Sequence, residues 1–330
     1  MNERGTAMRY GKREAKEWAK GFYRGLDGTI LPSFKPDDLG LDEQGIRHDV
    51  RELIKHGFFS ISMVTEVGTT KEEDKKFLEW CVDEAKGRIG ITLALKYYTM
   101  AENIEMARFA EAVGADSLLL SYPSNFHPRS PEDVYDYSRT ICDATNLAVV
   151  LFPSVKDDFP FPGRIPAPTL KRLADIDNVV AMKIGTLELT WIDECFRLFG
   201  DKVLISHPFD DAWPIFIRKY GMQWAGSAPF QFFQTPDDRR EVRLFNLIQD
   251  DRMDEAMALY WQIDPLRKTI MQITIPTAGM GLYNFQQWKY CEELVGMAGG
   301  ELRHPKLTLF WYDRERIRQA MLASGMKLVK

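Results

Sequence analysis

Eight short runs rich in Val, Ile, Leu and Phe recur along the first two thirds of the chain, and their spacing leaves few folds open. They lie at 28–33 (GTILPS), 58–64 (FFSISMV), 88–95 (RIGITLAL), 116–122 (DSLLLSY), 147–152 (LAVVLF), 178–184 (NVVAMKI), 202–207 (KVLISH) and 222–227 (MQWAGS). The first six begin about 30 residues apart, the last two somewhat closer. Several are apolar at every position rather than at alternate ones, as a parallel strand covered on both faces must be. The segments between them carry helical spacing. In EQGIRHDVRELIKHG, Ile46, Val50, Leu53 and Ile54 fall on one face and Gly57 supplies a stop. TKEEDKKFLEWCVDEAKG opens on a threonine cap with acids in its first turn, and SPEDVYDYSRTICDATN on a serine cap followed by proline. Eight strand–helix units of this size predict a (β/α)8 TIM barrel. The rival is a doubly wound open sheet, and no GxGxxG follows the first run to support its dinucleotide-binding form.

After residue 235 the strand pattern stops. Residues 235–272, 285–297 and 312–325 read as helices, which predicts a C-terminal helical extension packed on the barrel. The expected organisation is an N-terminal arm or helix over 1–25, the barrel over 26–235 and a helical domain over 236–330. At 330 residues with 45% hydrophobic and 28% charged, the chain has ample material for a large core. A net charge of −5 offers no basic surface, so nucleic acid is not an expected partner. The apolar runs are short, such as LAVVLF, against the roughly 18–20 residues of a membrane span, so no membrane is expected either. The first 25 residues lack the apolar region of a secretory signal. Cys81, Cys142, Cys195 and Cys291 are far apart and form no CxxC pair, which predicts free buried thiols in a reducing, cytoplasmic setting. The five histidines are scattered, and the HxxDD spacing of His207, Asp210 and Asp211 is weak, so neither a metal nor a cofactor is expected. The plainer reading of the two acids is that they cap the helix after the seventh strand.

Catalytic groups of such barrels sit at the C-terminal ends of the strands. Those ends carry Thr65, Glu66, Gly68 and Thr69 after the second strand, Lys96, Tyr97 and Tyr98 after the third, and Ser121, Tyr122, Ser124 and Asn125 after the fourth. Phe152 and Ser154 follow the fifth, Lys183 closes the sixth, Ser206 and His207 end the seventh, and Trp224, Gly226 and Ser227 belong to the eighth. Lys183 stands out, because "NVVAMKIGT" runs apolar up to a lysine. A lysine there either snorkels to water or is desolvated. A desolvated amine is neutral more often, and a neutral amine is what a Schiff base with a carbonyl substrate requires. The following Gly185 and Thr186 would let backbone approach a ligand.

"NVVAMKIGT" resembles the strand-6 segment of the dihydrodipicolinate synthase / N-acetylneuraminate lyase family, and the likeness runs collinearly over roughly 25–310. "GTILPSF" is similar to the family's opening strand, "AEAVGADSLLLSYP" to the run into strand 4, "TNLAVVLF" to strand 5 and "SHPFDDA" to the Ser-Gly-Asp-Asp end of strand 7. "WKYCEELVGM" followed by "LRHP" is similar to its lysine-containing helix and Arg-Pro-Pro ending, here Lys289 and Arg303-His304-Pro305. The resemblance implies a (β/α)8 barrel with a C-terminal helical domain, a homo-oligomer (dimer or tetramer), and a class I lyase whose Lys183 binds pyruvate or a related 2-keto acid as a Schiff base. It also implies that Thr65 or Thr69 of "VTEVGTT" holds the carboxylate. The family's strand-5 tyrosine falls at Phe152, which cannot relay a proton. Its strand-4 tyrosine falls near Ser124–Phe126, and the arginine for the synthase's second substrate near Lys156–Asp157.

The hydratase-aldolases of aromatic-hydrocarbon breakdown, which release pyruvate and an aromatic aldehyde, look nearer. The shared features are the "DFPFP" tract, His207, Trp224 and the "YN" containing Asn284. Trp224 at a barrel mouth would stack on an aromatic substrate, and its other reading is a barrel cap or core residue. Gly226, Ser227 and Asn284 complete the expected pocket, with His207, Tyr98 or Tyr97 as acid–base group in place of the tyrosine. The alternatives are a 2-keto acid dehydratase of sugar-acid metabolism and a non-catalytic keto-acid-binding member of the family.

Overall fold

The computed structural model describes residues 9–153, 164–186, 188–278 and 282–329. Eight parallel strands are β1 (Gly25–Ile30), β2 (Ser60–Met63), β3 (Gly90–Leu95), β4 (Ser117–Leu120), β5 (Ala148–Leu151), β6 (Val179–Lys183), β7 (Leu204–Ser206) and β8 (Trp224–Ala225). Their order, β7-β6-β5-β4-β3-β2-β1-β8, makes sequence neighbours sheet neighbours and brings β1 beside β8. The fold is a (β/α)8 barrel. Helices α1 (Ala15–Phe22), α2 (Glu43–Lys55), α3 (Lys71–Ala85), α4 (Met100–Val113), α5 (Pro131–Asp143), α6 (Ala167–Ala174), α7 (Leu189–Phe199) and α8 (Trp213–Tyr220) alternate with the strands. After β8 the helices are α9 (Arg240–Gln249), α10 (Met253–Ala278), α11 (Phe285–Leu294) and α12 (Trp311–Ala323). The caps explain several starts. Thr70 before α3 and Thr99 before α4 form capping boxes with Glu73 and Glu102, and Ser130 caps α5 ahead of Pro131.

The first strand departs from the sequence reading. β1 runs from Gly25 to Ile30 rather than over 28–33, because Gly25 pairs with Trp224 and Leu26 with Ala225. Gly25 enters at φ +90°, which a glycine tolerates, and Pro32 lies past the strand, where its missing N–H costs no ladder bond. The shift draws Asp27 into the strand. Asp210 and Asp211 lie in a single 3₁₀ turn, Asp210–Ala212, ahead of α8.

The chain divides into two compact units, Met1–Asp27 with Gly90–Ser227, and Gly28–Ile89 with Ala228–Lys330. In the first, all residues of β4, β5 and β6 are buried, as their apolar runs require. The pairing of β5 with β6 shifts between Val149 and Val150, so that Leu151 lies opposite Met182. The N-terminal segment is stapled to the same unit. The Tyr10 hydroxyl donates to Asp116 O and accepts from Ala148 N, and Lys12 Nζ donates to the carbonyls of Cys142 and Thr145.

In the second unit, Phe232, Leu266, Ile270, Cys291, Leu294, Ile317 and Met321 form an apolar core among the late helices. Beside it lies a buried ionic group. Lys289 Nζ stands 3.7 Å from Asp49 Oδ2, 3.4 Å from Glu292 Oε2 and 3.1 Å from Ser33 Oγ, and Asp49 Oδ1 accepts from Ala298 N. One lysine faces two carboxylates, and burial pushes Glu292 up to about 7 against the pull of Lys289. All four cysteines are buried free thiols.

Candidate active site

Lys183 is the last residue of β6, after four buried apolar residues. Its side chain does not snorkel. It is 8% exposed, its Nζ donates to the carbonyl of Ser227 at 2.6 Å, and it lies 4.2 Å from the centre of the Phe152 ring. Burial lowers the amine from 10.5 to about 8, with the Asp27 carboxylate pulling the other way. About one amine in ten is then neutral at pH 7, against roughly one in three thousand for an ordinary lysine.

The register explains who its neighbours are. Leu151 opposes Met182, so one further step sets Phe152 level with Lys183. On the other side Lys183 pairs with Ser206, and partners in a parallel ladder share a face. The buried Ser206 hydroxyl has no hydrogen-bond partner among the described residues. Beyond β8, Ser227 receives the amine on its carbonyl while its own hydroxyl donates to Asp27 Oδ2 at 2.5 Å. Gly226 makes that approach feasible. A Cβ there would sit 2.6 Å from Asp27 Cβ and 2.7 Å from Trp224 Cζ3. Lys183, Phe152, Ser227 and Gly226 are thus gathered as expected from their strand ends. Asp27 joins them and was missed, because the sequence reading started the strand one residue after it. The available signal was an acid flanked by Leu26 and by Gly28-Thr29-Ile30 in a run that must be buried.

Three expected site residues have other work. His207 is fully buried, and its ring bonds backbone on both sides: Nδ1 accepts from Phe209 N at 3.2 Å, which leaves Nε2–H to donate to Thr186 O at 3.1 Å. Burial lowers it to about 4, so it is neutral at pH 7 and ties the turn after β6 to the turn after β7. Its two nitrogens are occupied, which argues against the acid–base role expected for it. Tyr98 is 68% exposed, with its hydroxyl accepting from Ser124 Oγ at 3.4 Å and its carbonyl from Asn125 Nδ2. Trp224 is 1% exposed and packs edge-on to Tyr23 at 5.0 Å. It opens β8 opposite the first residue of β1, at the N-terminal end of the strands, whereas the chemistry of such barrels is at the other end. It is a core residue and not a stacking platform.

The remaining expected residues belong to the second unit. The turn after β2 is tightly held. Thr69 Oγ1 donates to Asp74 Oδ1 at 2.6 Å, Thr70 caps α3, and Arg303 clamps Glu73 at 2.7 and 2.9 Å while donating to Gly68 O. That clamp brings Glu73 down to about 2. The Thr69 hydroxyl is therefore committed to Asp74, while Thr65 is half-buried. Asn284 caps α11: its Oδ1 accepts from Gln287 N and its Nδ2 donates to Thr308 O, so both ends of the amide are engaged. Ser154, Lys156, Asp157 and the DFPFP tract lie outside the described residues. Among the described residues no cluster of three His, Cys, Asp or Glu is gathered for a metal, and no helix is long and apolar enough to cross a membrane.

Comparison with known proteins places this geometry. Residues 23–321 match the model of the dihydrodipicolinate synthetase family. A 4-hydroxy-tetrahydrodipicolinate synthase of Bradyrhizobium diazoefficiens is 30% identical over 319 residues, covering 93% of this chain and 99% of that protein. Its namesake from Methanothrix thermoacetophila is 26% identical over 306 residues, covering 91% and 96%. The crystal structure of dihydrodipicolinate synthase from Oceanobacillus iheyensis superposes with a TM-score of 0.80 at 17% identity, covering 94% of this chain and 99% of that one.

Proposed function

Because the chain belongs to the dihydrodipicolinate synthetase family, we propose that Lys183 forms a Schiff base with pyruvate or a pyruvate-derived 2-keto acid, and that the reaction is aldol cleavage or hydration of the hydratase-aldolase type. As a family member the chain is an enzyme, a lyase of the class I aldolase type. One observation carries the assignment of the lysine: an amine closing β6, buried, lowered to about 8 and held by the Ser227 carbonyl at 2.6 Å. The neutral amine adds to the ketone carbon, the carbinolamine loses water, and the iminium withdraws electrons from the bond to be broken. From the family resemblance alone we infer that Thr65 or Thr69 of the segment after β2 holds the carboxylate.

Phe152 argues against synthase chemistry of the relatives' named kind, since a phenyl ring stands at the end of β5, where the family carries its relay phenol. The second reading, a 2-keto acid dehydratase, uses the same imine. We infer a homo-oligomer from the family resemblance alone.

Borohydride trapping with pyruvate, read by intact mass, tests the lysine. A single adduct on the wild type that vanishes in Lys183→Ala supports it. An adduct that persists in Lys183→Ala, or none in the wild type, refutes it. Pyruvate release from an arylidene-pyruvate, with none from aldonic-acid derivatives, selects the hydratase-aldolase over the dehydratase.

A further inference from the structure

Asp27 is a carboxylate buried to 2% exposure in the first strand of a barrel, a costly place for a charge without a purpose for it. Three features converge on it. Its Oδ2 accepts the Ser227 hydroxyl at 2.5 Å, and the carbonyl of that same serine accepts the Lys183 amine at 2.6 Å. Its charge acts on Lys183, favouring the charged amine against the effect of burial. Room for it is made by Gly226, where any Cβ would lie 2.6 Å from Asp27 Cβ and 2.8 Å from its Oδ2. A carboxylate, a serine and a glycine, two of them about 200 residues from the third, are thus fitted around one amine.

Resting on the reading of Lys183 as the imine-forming lysine, we propose that Asp27 is its positioning residue and counter-charge. Through Ser227 it fixes the carbonyl that aims the amine, and its charge balances the cation that the nitrogen carries as ammonium before attack and as iminium after it. The step balances with no outside proton: ammonium plus ketone gives iminium plus water, the C=O oxygen leaving with two protons that the nitrogen brought. The nitrogen gives up a proton to attack and is positive again as the iminium, so a fixed negative neighbour serves both ends of the step in a water-poor site.

The predicted signature separates this role from plain packing. Titratable groups near the pair include Tyr23 beside Asp27, with Tyr10 and Asp116 beyond it, and His207 beside Lys183, with Asp211 beyond it. Tyr23 is held far above its usual value and His207 down at about 4, so neither changes charge between pH 6 and 10. Cyanoborohydride trapping of pyruvate across that range, on the full chain, reads the amine. In Asp27→Asn the adduct should still form on Lys183, with the pH midpoint lowered by about one unit and a plateau rate reduced about tenfold, because an opposite charge has been removed while the burial remains. Ser227→Ala keeps the carbonyl and the charge, so it should lower the plateau and leave the midpoint in place. Structural damage alone would admit water and raise the midpoint toward 10.5. A midpoint raised or unchanged in Asp27→Asn overturns the proposal. If that variant does not fold, an unchanged plateau in Ser227→Ala overturns it. Loss of the wild-type adduct, or its persistence in Lys183→Ala, refutes the lysine reading first and takes this proposal with it.

Discussion

Replacing Phe152 by alanine should slow imine formation at neutral pH without touching the lysine. Two opposing effects meet at the ring, 4.2 Å from Nζ. As a cation–π partner it favours the ammonium, by up to about 2 kcal/mol at a desolvated site. As an apolar wall it keeps water away and favours the neutral amine. The net lowering of Lys183 from 10.5 to about 8 corresponds to about 3 kcal/mol, after the opposing pull of Asp27, so desolvation is the larger effect. Opening the wall to water should therefore raise the midpoint by about one pH unit, which at pH 7 leaves about a tenth of the neutral amine. Trapping with pyruvate and cyanoborohydride should be about tenfold slower at pH 7, and the two curves should converge above pH 10, where both amines are neutral. The upper limit, complete loss of the shift, is roughly 300-fold. A variant with the wild-type midpoint, or a lower one, would refute the claim that this ring desolvates the amine.

His56 and His207, held neutral by burial at about 3 and about 4, should make the fold acid-labile. Below their ordinary value of 6.5 the unfolded chain binds protons that the folded chain refuses, so their stability contribution is full above 6.5 and falls by up to about 1.4 kcal/mol per pH unit for each as pH drops toward 4. Urea denaturation at pH 7 and 4.5 should show His56→Gln losing less between the two than the wild type does. Lys289→Met should cost about 3–5 kcal/mol by leaving Asp49 and Glu292 facing each other without their cation, and adding Glu292→Gln should recover part of it in the same assay. Gly226→Ala should lower stability by about 1–3 kcal/mol through its clashes with Asp27 and Trp224, and should slow pyruvate trapping as well.

The barrel was legible because burial on both faces of a parallel strand imposes uninterrupted apolar runs, and β4, β5 and β6 carry them with ends near those read from the sequence. The amine at the end of β6 was legible for the same reason: a lysine closing such a run is conspicuous. What escaped depends on register and on distant partners. The apolar run GTILPS continues past the strand, so β1 was placed three residues late and Asp27 fell outside it. Trp224 looked like a mouth residue because its run is short and periodicity does not say which end of β8 it occupies. Pairing with Gly25 settles that. The commitment of His207 to Thr186 and Phe209, and of Asn284 to Gln287 and Thr308, lies in hydrogen bonds, and residue type alone leaves a histidine or an asparagine equally suited to catalysis or to holding a turn.

The phenyl ring at position 152 constrains the chemistry less at imine formation than after it. Imine formation from an ammonium needs no net outside proton, since the two protons the nitrogen sheds leave in the water, and burial near 8 supplies the neutral amine that attacks. The later steps, in which a proton goes to or from carbon or a substrate hydroxyl, do need a group that exchanges one. Two hydroxyls lie near Lys183: that of Ser227, donated to Asp27, and that of Ser206, without a partner among the described residues. Ser206 shares a face of the ladder with Lys183 and is fully buried. A buried hydroxyl lacking a partner costs about 1–3 kcal/mol, which a bound substrate oxygen would recover. On this reading Ser206→Ala should leave pyruvate trapping intact and slow the turnover of a full-length substrate. A variant that turns over at the wild-type rate would shift the proton transfer to water.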